Sequence, residues 1–218
     1  GSGLVYVLIA VALFAALSFT LMRNNDSNEA STIPDDKAAL YATQLISYAA
    51  QAKTVVDQMY FAGTGADEID FSLPGTADFN NDTPAHPHIH KIYHPEGGGL
   101  TPGVLDAGVA QAGTDPSAGW YAGRFGNVEW TQTTADDVIL TAWRIPISVC
   151  AKINEAVTGS SSIPTITDPR NFLVDDDYHN GTEDSFQITD CAACDGYQSL
   201  CVADAGATMF AFYNILSP

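Results

Sequence analysis

Basic residues are scarce in this chain. Lysine and arginine number 8 against 26 aspartates and glutamates in 218 residues, a formal charge of −18. No basic run occurs in it, which argues against a nucleic-acid partner, because such a binder neutralises phosphates with clustered cations. Signatures of common enzymes are missing too. There is no Gly-x-Ser-x-Gly elbow, no phosphate-cradling Gly-rich loop and no pair of catalytic carboxylates. Without Cys-x-x-Cys-His, covalent haem is not indicated. No internal repeat is visible. A secretory signal peptide fits poorly, since no basic segment precedes the first apolar run and no small-residue cleavage site precedes Arg23. The expected class is therefore not an enzyme.

Charge of either sign is absent from the first 22 residues, Gly1 to Met22, after which Arg23 opens a polar stretch. A helix of that length spans roughly 30 Å, the thickness of a bilayer's hydrocarbon core. Apolar all round, it must be buried on every side, in a membrane or among copies of itself. The reading is a hydrophobic assembly or transmembrane helix over residues 1–23. Leu4, Val5, Val7, Leu8, Ile9, Val11, Leu13, Phe14, Leu17 and Leu21 are its contact residues. Gly3, Ala10, Ala12, Ala15, Ala16 and Ser18 permit close helix approach.

Residues 24–35 form a break, rich in Asn, Ser and Asp and closed by Pro34. The remainder, 36–218, is large enough for one globular head with its own core. Residues 36–60 carry apolar side chains at three- and four-residue steps: Leu40, Tyr41, Leu45, Tyr48, Ala49, Ala52, Val55, Val56 and Met59. This second helix is amphipathic and should lay one face on a sheet, with Gly63 and Gly65 past its end. Short strands are expected near 69–73 and 89–93. The clearest strand signals lie in 120–145, where 120–125, 128–132 and 138–145 read as an antiparallel meander. Residues 147–157 read as a short helix ended by Gly159, and 208–216 as a final apolar strand.

Cys150, Cys191, Cys194 and Cys201 all fall in the last third, 150–218. Their even number and the export-type N-terminus imply disulfides and an oxidising compartment. Four cysteines allow three pairings, and the sequence does not choose among them. The preferred one joins Cys194 to Cys201 around Asp195-Gly196, and Cys150 to Cys191. A redox or zinc role for Cys191-Ala-Ala-Cys194 is disfavoured, since no strand-to-helix context surrounds it.

Two groups of residues suit metals. His86, His88 and His90 share one face if their segment is an extended strand, with His94 just beyond. Three imidazoles so placed suit zinc or copper. No carboxylate stands beside them in such a strand, and a solvated edge strand is the favoured explanation. Asp78, Asn80 and Asp82 supply oxygens of the kind calcium takes, as do Asp175-Asp176-Asp177 with Glu183 and Asp184. Neither matches a full calcium loop, and no cofactor is required by the sequence. His179 stands alone and reads as structural.

The order of these parts resembles a type IV pilin or pilin-like protein. Gly1-Ser-Gly-Leu-Val-Tyr-Val-Leu-Ile-Ala-Val-Ala-Leu13 carries the likeness, with support from Ile147-Ser-Val-Cys-Ala-Lys-Ile-Asn154 and Phe210-Ala-Phe-Tyr-Asn-Ile-Leu216. The family usually has Glu at position 5 to pair with a neighbour's N-terminal amine. Val5 stands here, so register would rest on apolar packing. The resemblance implies removal of a basic leader, an α+β fold and an antiparallel sheet head with C-terminal disulfides. It also implies a homo-oligomeric helical filament at the cell surface, inserted in the inner membrane before assembly. The alternative is a membrane-anchored periplasmic or extracellular domain that binds a metal through His86–His94.

Overall fold

The computed structural model describes residues 33–174 and 184–217. They belong to one compact unit, Ile33–Pro218. The expected apolar helix over 1–23 and most of the break at 24–35 lie outside the described residues. Among those described, no helix is long and apolar enough to cross a membrane.

Helix α1, Asp35–Phe61, follows Pro34 and opens with two acidic residues at the positive end of its dipole. Its buried residues are Ala38, Ala42, Leu45, Ala49, Ala52, Val56 and Met59. They alternate steps of four and three, so they form one straight stripe. Four of the seven are alanine, which lets the backbone approach its neighbours closely. Leu40, counted in the sequence pattern, is instead 57% exposed. Gly63, at φ +100°, supplies the left-handed residue that terminates the helix, and its N–H donates to the Tyr60 carbonyl.

Four elements follow in the middle of the chain: α2 (Ala77–Asn80), β1 (Gly119–Gly126), β2 (Asp137–Trp143) and α3 (Ile147–Thr158). The C-terminal part adds β3 (Thr165–Ile166), α4 (Arg170–Leu173), β4 (Ser199–Asp204) and β5 (Phe210–Ser217). The fold is α+β, with a five-stranded sheet in the order β1-β2-β5-β4-β3. All neighbours are antiparallel except β3 and β4, which run parallel. The last strand of the chain thus sits in the middle of the sheet. Its sequence, Phe-Ala-Phe-Tyr-Asn-Ile-Leu, is apolar on both faces, as a covered central strand requires.

The two faces of the sheet have separate cores. Val138, Leu140, Ala142, Phe210, Phe212, Cys201 and Ala203 point toward α1 and α3. Ile139, Trp143, Leu200, Val202, Ala211, Tyr213 and Ile215 point the other way. Loops and α4 cover that second face, with Val128, Leu173, Val174 and Phe186 packed on it. Asn154 of α3 is fully buried and ties the helix to the sheet. Its Nδ2 donates to the Cys201 carbonyl (2.8 Å) and the Ser162 carbonyl (2.9 Å), and its Oδ1 accepts from the Cys201 N–H (2.8 Å).

Several expectations need correction. The strands form no simple meander, because β5 returns from the C-terminus to pair with β2. Residues 128–132 are not a strand. Val128 makes one bridge with Phe186, and the chain then turns. The Asp137 carboxylate holds that turn, accepting from the Val128 N–H (2.7 Å) and the Thr131 hydroxyl (3.2 Å). Residues 69–73 and 89–93 contribute only an isolated parallel bridge, Asp70 to Lys91.

The preferred disulfide pairing is also overturned. Cys150 bonds Cys201, and Cys191 bonds Cys194. Side-chain alternation along β4 gives the reason. Cys201 points to the α3 side of the sheet, where Cys150 sits, while Cys194 lies on the opposite face. Cys194 and Cys201 therefore cannot meet across the sheet.

Candidate functional site

The histidine-rich segment is not an extended strand. Pro87 caps a single 3-10 turn, His88–His90, in which the His90 N–H donates to the Pro87 carbonyl and the Lys91 N–H to the His88 carbonyl. A 3-10 turn rotates successive side chains by about 120°, so the two-residue alternation of a strand is lost. His88 consequently does not join His86 and His90, which line a common cleft. The sequence expectation of a three-imidazole face fails for this reason.

Each histidine has its own surroundings. His86 is exposed, and its N–H donates to the Thr83 carbonyl. His90 turns toward the end of α1, with Nδ1 3.1 Å from the Thr64 hydroxyl and 3.8 Å from a Glu68 carboxylate oxygen. The His88 backbone N–H donates to Asp82 (3.2 Å), and its ring stacks on His94 with centroids 3.9 Å apart and planes 23° apart. His88 Nε2 is buried and has no hydrogen-bond partner. Phe79 packs on the other ring, 5.2 Å from His94 between centroids.

His94 is followed by Pro95-Glu96-Gly97, and there the chain reverses. The N–H groups of Gly97 and Gly99 both donate to the His94 carbonyl, and that of Gly98 donates to the Lys91 carbonyl. This reversal needs glycine. A Cβ on Gly97 would lie 2.7 Å from the His88 carbonyl oxygen, and one on Gly98 would lie 2.6 Å from Val55. The loop thus returns Glu96 to the His88–His94 stack. The Glu96 N–H donates to His94 Nδ1 (3.2 Å). Metal-compatible atoms of His88, His94 and Glu96 all lie within 4.8 Å of one another, and among the described residues no other such group forms. The sequence reading named both histidines but passed over Glu96. The available signal was Gly97-Gly98-Gly99, which marks a backbone folded tightly on itself.

The oxygen-rich loop behaves differently. Lys91 is completely buried, and its Nζ donates to the main-chain carbonyls of Asp78 (2.6 Å), Phe79 (3.2 Å) and Asn81. An ammonium therefore occupies the place among these carbonyls that a bound cation would need. Of the expected calcium ligands Asp78, Asn80 and Asp82, two side chains already bond the backbone. Asp82 fixes the His88 turn, and the Asn80 side chain donates to the Thr76 carbonyl. Asp175-Asp176-Asp177, His179 and Glu183 lie outside the described residues. Asp184 is described, and its N–H donates to the Asn171 carbonyl.

Two clefts flank the segment. One of about 320 Å³ is lined by Glu68, Asp70, His86, His90 and Arg124. The Arg124 guanidinium is buried there and donates to the Ile69 carbonyl. The other, about 280 Å³, lies between the end of α1 and Gly97-Gly98, with His90 and Glu96 on its wall. Comparison with protein-family models, curated proteins and solved structures finds no match to this chain.

Proposed function

We propose that this chain is the structural subunit of an extracellular type IV pilus-like filament. Its N-terminal apolar segment would form the filament core and its acidic head the shell. The observation that carries this reading is the junction of two unlike parts. An uncharged stretch of 22 residues precedes an independent head with its own two-sided core and two disulfides. A segment apolar all round is buried either in lipid or in a bundle of its own copies. Head-to-tail contacts that do not close generate an open helical polymer. The disulfides suit an oxidising, extracytoplasmic location. The pilin likeness implies a helix laid on an antiparallel sheet, and α1 lies on a sheet that is antiparallel apart from β3 beside β4. On this reading the subunit sits in the inner membrane before assembly and the head serves surface exposure or adhesion, with no catalysis.

The test is electron microscopy of material sheared from the native cell surface, with mass spectrometry of the filaments recovered. Filaments built of this chain support the proposal. Recovery of the chain only as single copies in the membrane fraction overturns it, and leaves the membrane-anchored domain as the better reading.

A further inference from the structure

We propose that His88, His94 and Glu96 form a binding site for one divalent transition-metal cation of the zinc and copper class on the surface of the head. The site does not depend on the filament reading, because every residue in it lies within one short segment of the head.

Three observations converge. Two imidazoles and one carboxylate have ligand atoms within 4.8 Å of one another. That is a two-nitrogen, one-oxygen set, which suits zinc or copper and leaves a fourth position for water or an outside ligand. Second, His88 Nε2 is buried without a hydrogen-bond partner. Such an atom normally finds one, so a cation accepting its lone pair resolves the deficit. Third, the surroundings are braced. Asp82 holds the His88 backbone, Lys91 pins the 78–81 carbonyls, and the glycine reversal returns Glu96 to the stack.

The stack itself shows what binding requires. An imidazole ligates through a lone pair in its ring plane, so two rings only 23° from parallel aim side by side rather than at one point. At least one ring therefore turns about its Cβ–Cγ bond when a cation enters. The cation also takes over the His94 Nδ1 lone pair, which otherwise accepts the 3.2 Å contact from the Glu96 N–H. Calcium is not the expected occupant, because it takes oxygen ligands in greater number.

The test uses the untagged full chain in mild detergent, titrated with Zn²⁺ by calorimetry, with Ca²⁺ as the contrasting ion. One Zn²⁺ per chain with micromolar affinity is expected, and two imidazoles with at least one oxygen in the X-ray absorption spectrum of the zinc-loaded protein. His88→Gln/His94→Gln should weaken Zn²⁺ binding by at least about 100-fold, and Glu96→Gln by about tenfold. His86→Gln, outside the group, should leave affinity unchanged. Glu96 is exposed and His94 half-buried, so Glu96→Gln tests the set even if the double variant folds poorly. No binding below millimolar Zn²⁺ overturns the proposal. So does an absorption spectrum without two imidazoles, unaltered affinity in Glu96→Gln, or equal loss in His86→Gln.

Discussion

Replacing Asp137 with asparagine should stabilise this protein at neutral pH and leave it unchanged in acid. Asp137 is wholly inaccessible at the start of β2. Burial pushes its carboxyl from 3.8 up to about 6, against the lowering effect of hydrogen bonds from Val128 and Thr131, and Asp136 beside it adds repulsion. The folded chain thus holds this proton more tightly than the unfolded chain. The stability this carboxyl contributes is fully present below about pH 4 and is lost as pH rises through about 6, because the native state must then carry a poorly solvated charge. The full linkage is roughly 3 kcal/mol, and because an amide only partly replaces the protonated carboxyl, a gain of about 1–2 kcal/mol is expected. In Asp137→Asn the side chain keeps an oxygen to accept from the Val128 N–H and the Thr131 hydroxyl. The new amide nitrogen falls where Oδ1 of Asp137 lacks a hydrogen-bond partner. Urea unfolding of the full chain in mild detergent, followed by tryptophan fluorescence from pH 3.5 to 7.5, measures the difference. A gain of about 1–2 kcal/mol at pH 7 that vanishes below pH 4 is expected. A loss at pH 7, or an equal gain at every pH, would refute the account.

Other consequences follow from the fold. Serine at both Cys150 and Cys201 should cost about 4 kcal/mol, since that bridge closes a long loop, while serine at Cys191 and Cys194 should cost about 2 kcal/mol; denaturant melts separate the two. Non-reducing peptide mapping should recover Cys150 linked to Cys201, and a Cys150–Cys191 fragment would contradict the sheet assignment. Asn154→Ala leaves the Cys201 N–H and two carbonyls without partners, and should destabilise by about 2–4 kcal/mol in the same melts. Lys91→Met removes the ammonium from the 78–81 carbonyls. A loss of about 2–3 kcal/mol is expected, with hydrogen exchange rising first across residues 77–82.

How much the sequence alone decided depends on how local each signal is. The period of α1 is written in Ala49, Ala52, Val56 and Met59, because a helix face repeats every three to four residues of the same segment. The helix over 147–158 and the terminal strand were legible for the same reason, as was the apolar character of residues 1–22. Strand 128–132 was misread because Trp130 and its neighbours have strand-like side chains. What holds them in a turn is the Asp137 carboxylate, several residues away. β4 escaped notice because six mixed residues carry little period of their own; it exists through pairing with β5.

The tertiary structure alone decided the rest. Which cysteines meet depends on the face of the sheet to which each points, and that is fixed only when β4 docks beside β5. Which residues form the metal-compatible group depends on Pro87 starting a turn and on Gly97 allowing the chain to fold back. Spacing assuming a strand gave His86, His88 and His90, whereas the folded backbone gathers His88, His94 and Glu96. What holds the main chain of the 78–82 loop also comes from a distance, in the Lys91 side chain buried among its carbonyls. Composition and period set charge, helices and apolar faces, since these sum over neighbours in the chain. Partners, pairings and sites are set by groups brought together across it, and only the packed backbone chooses them.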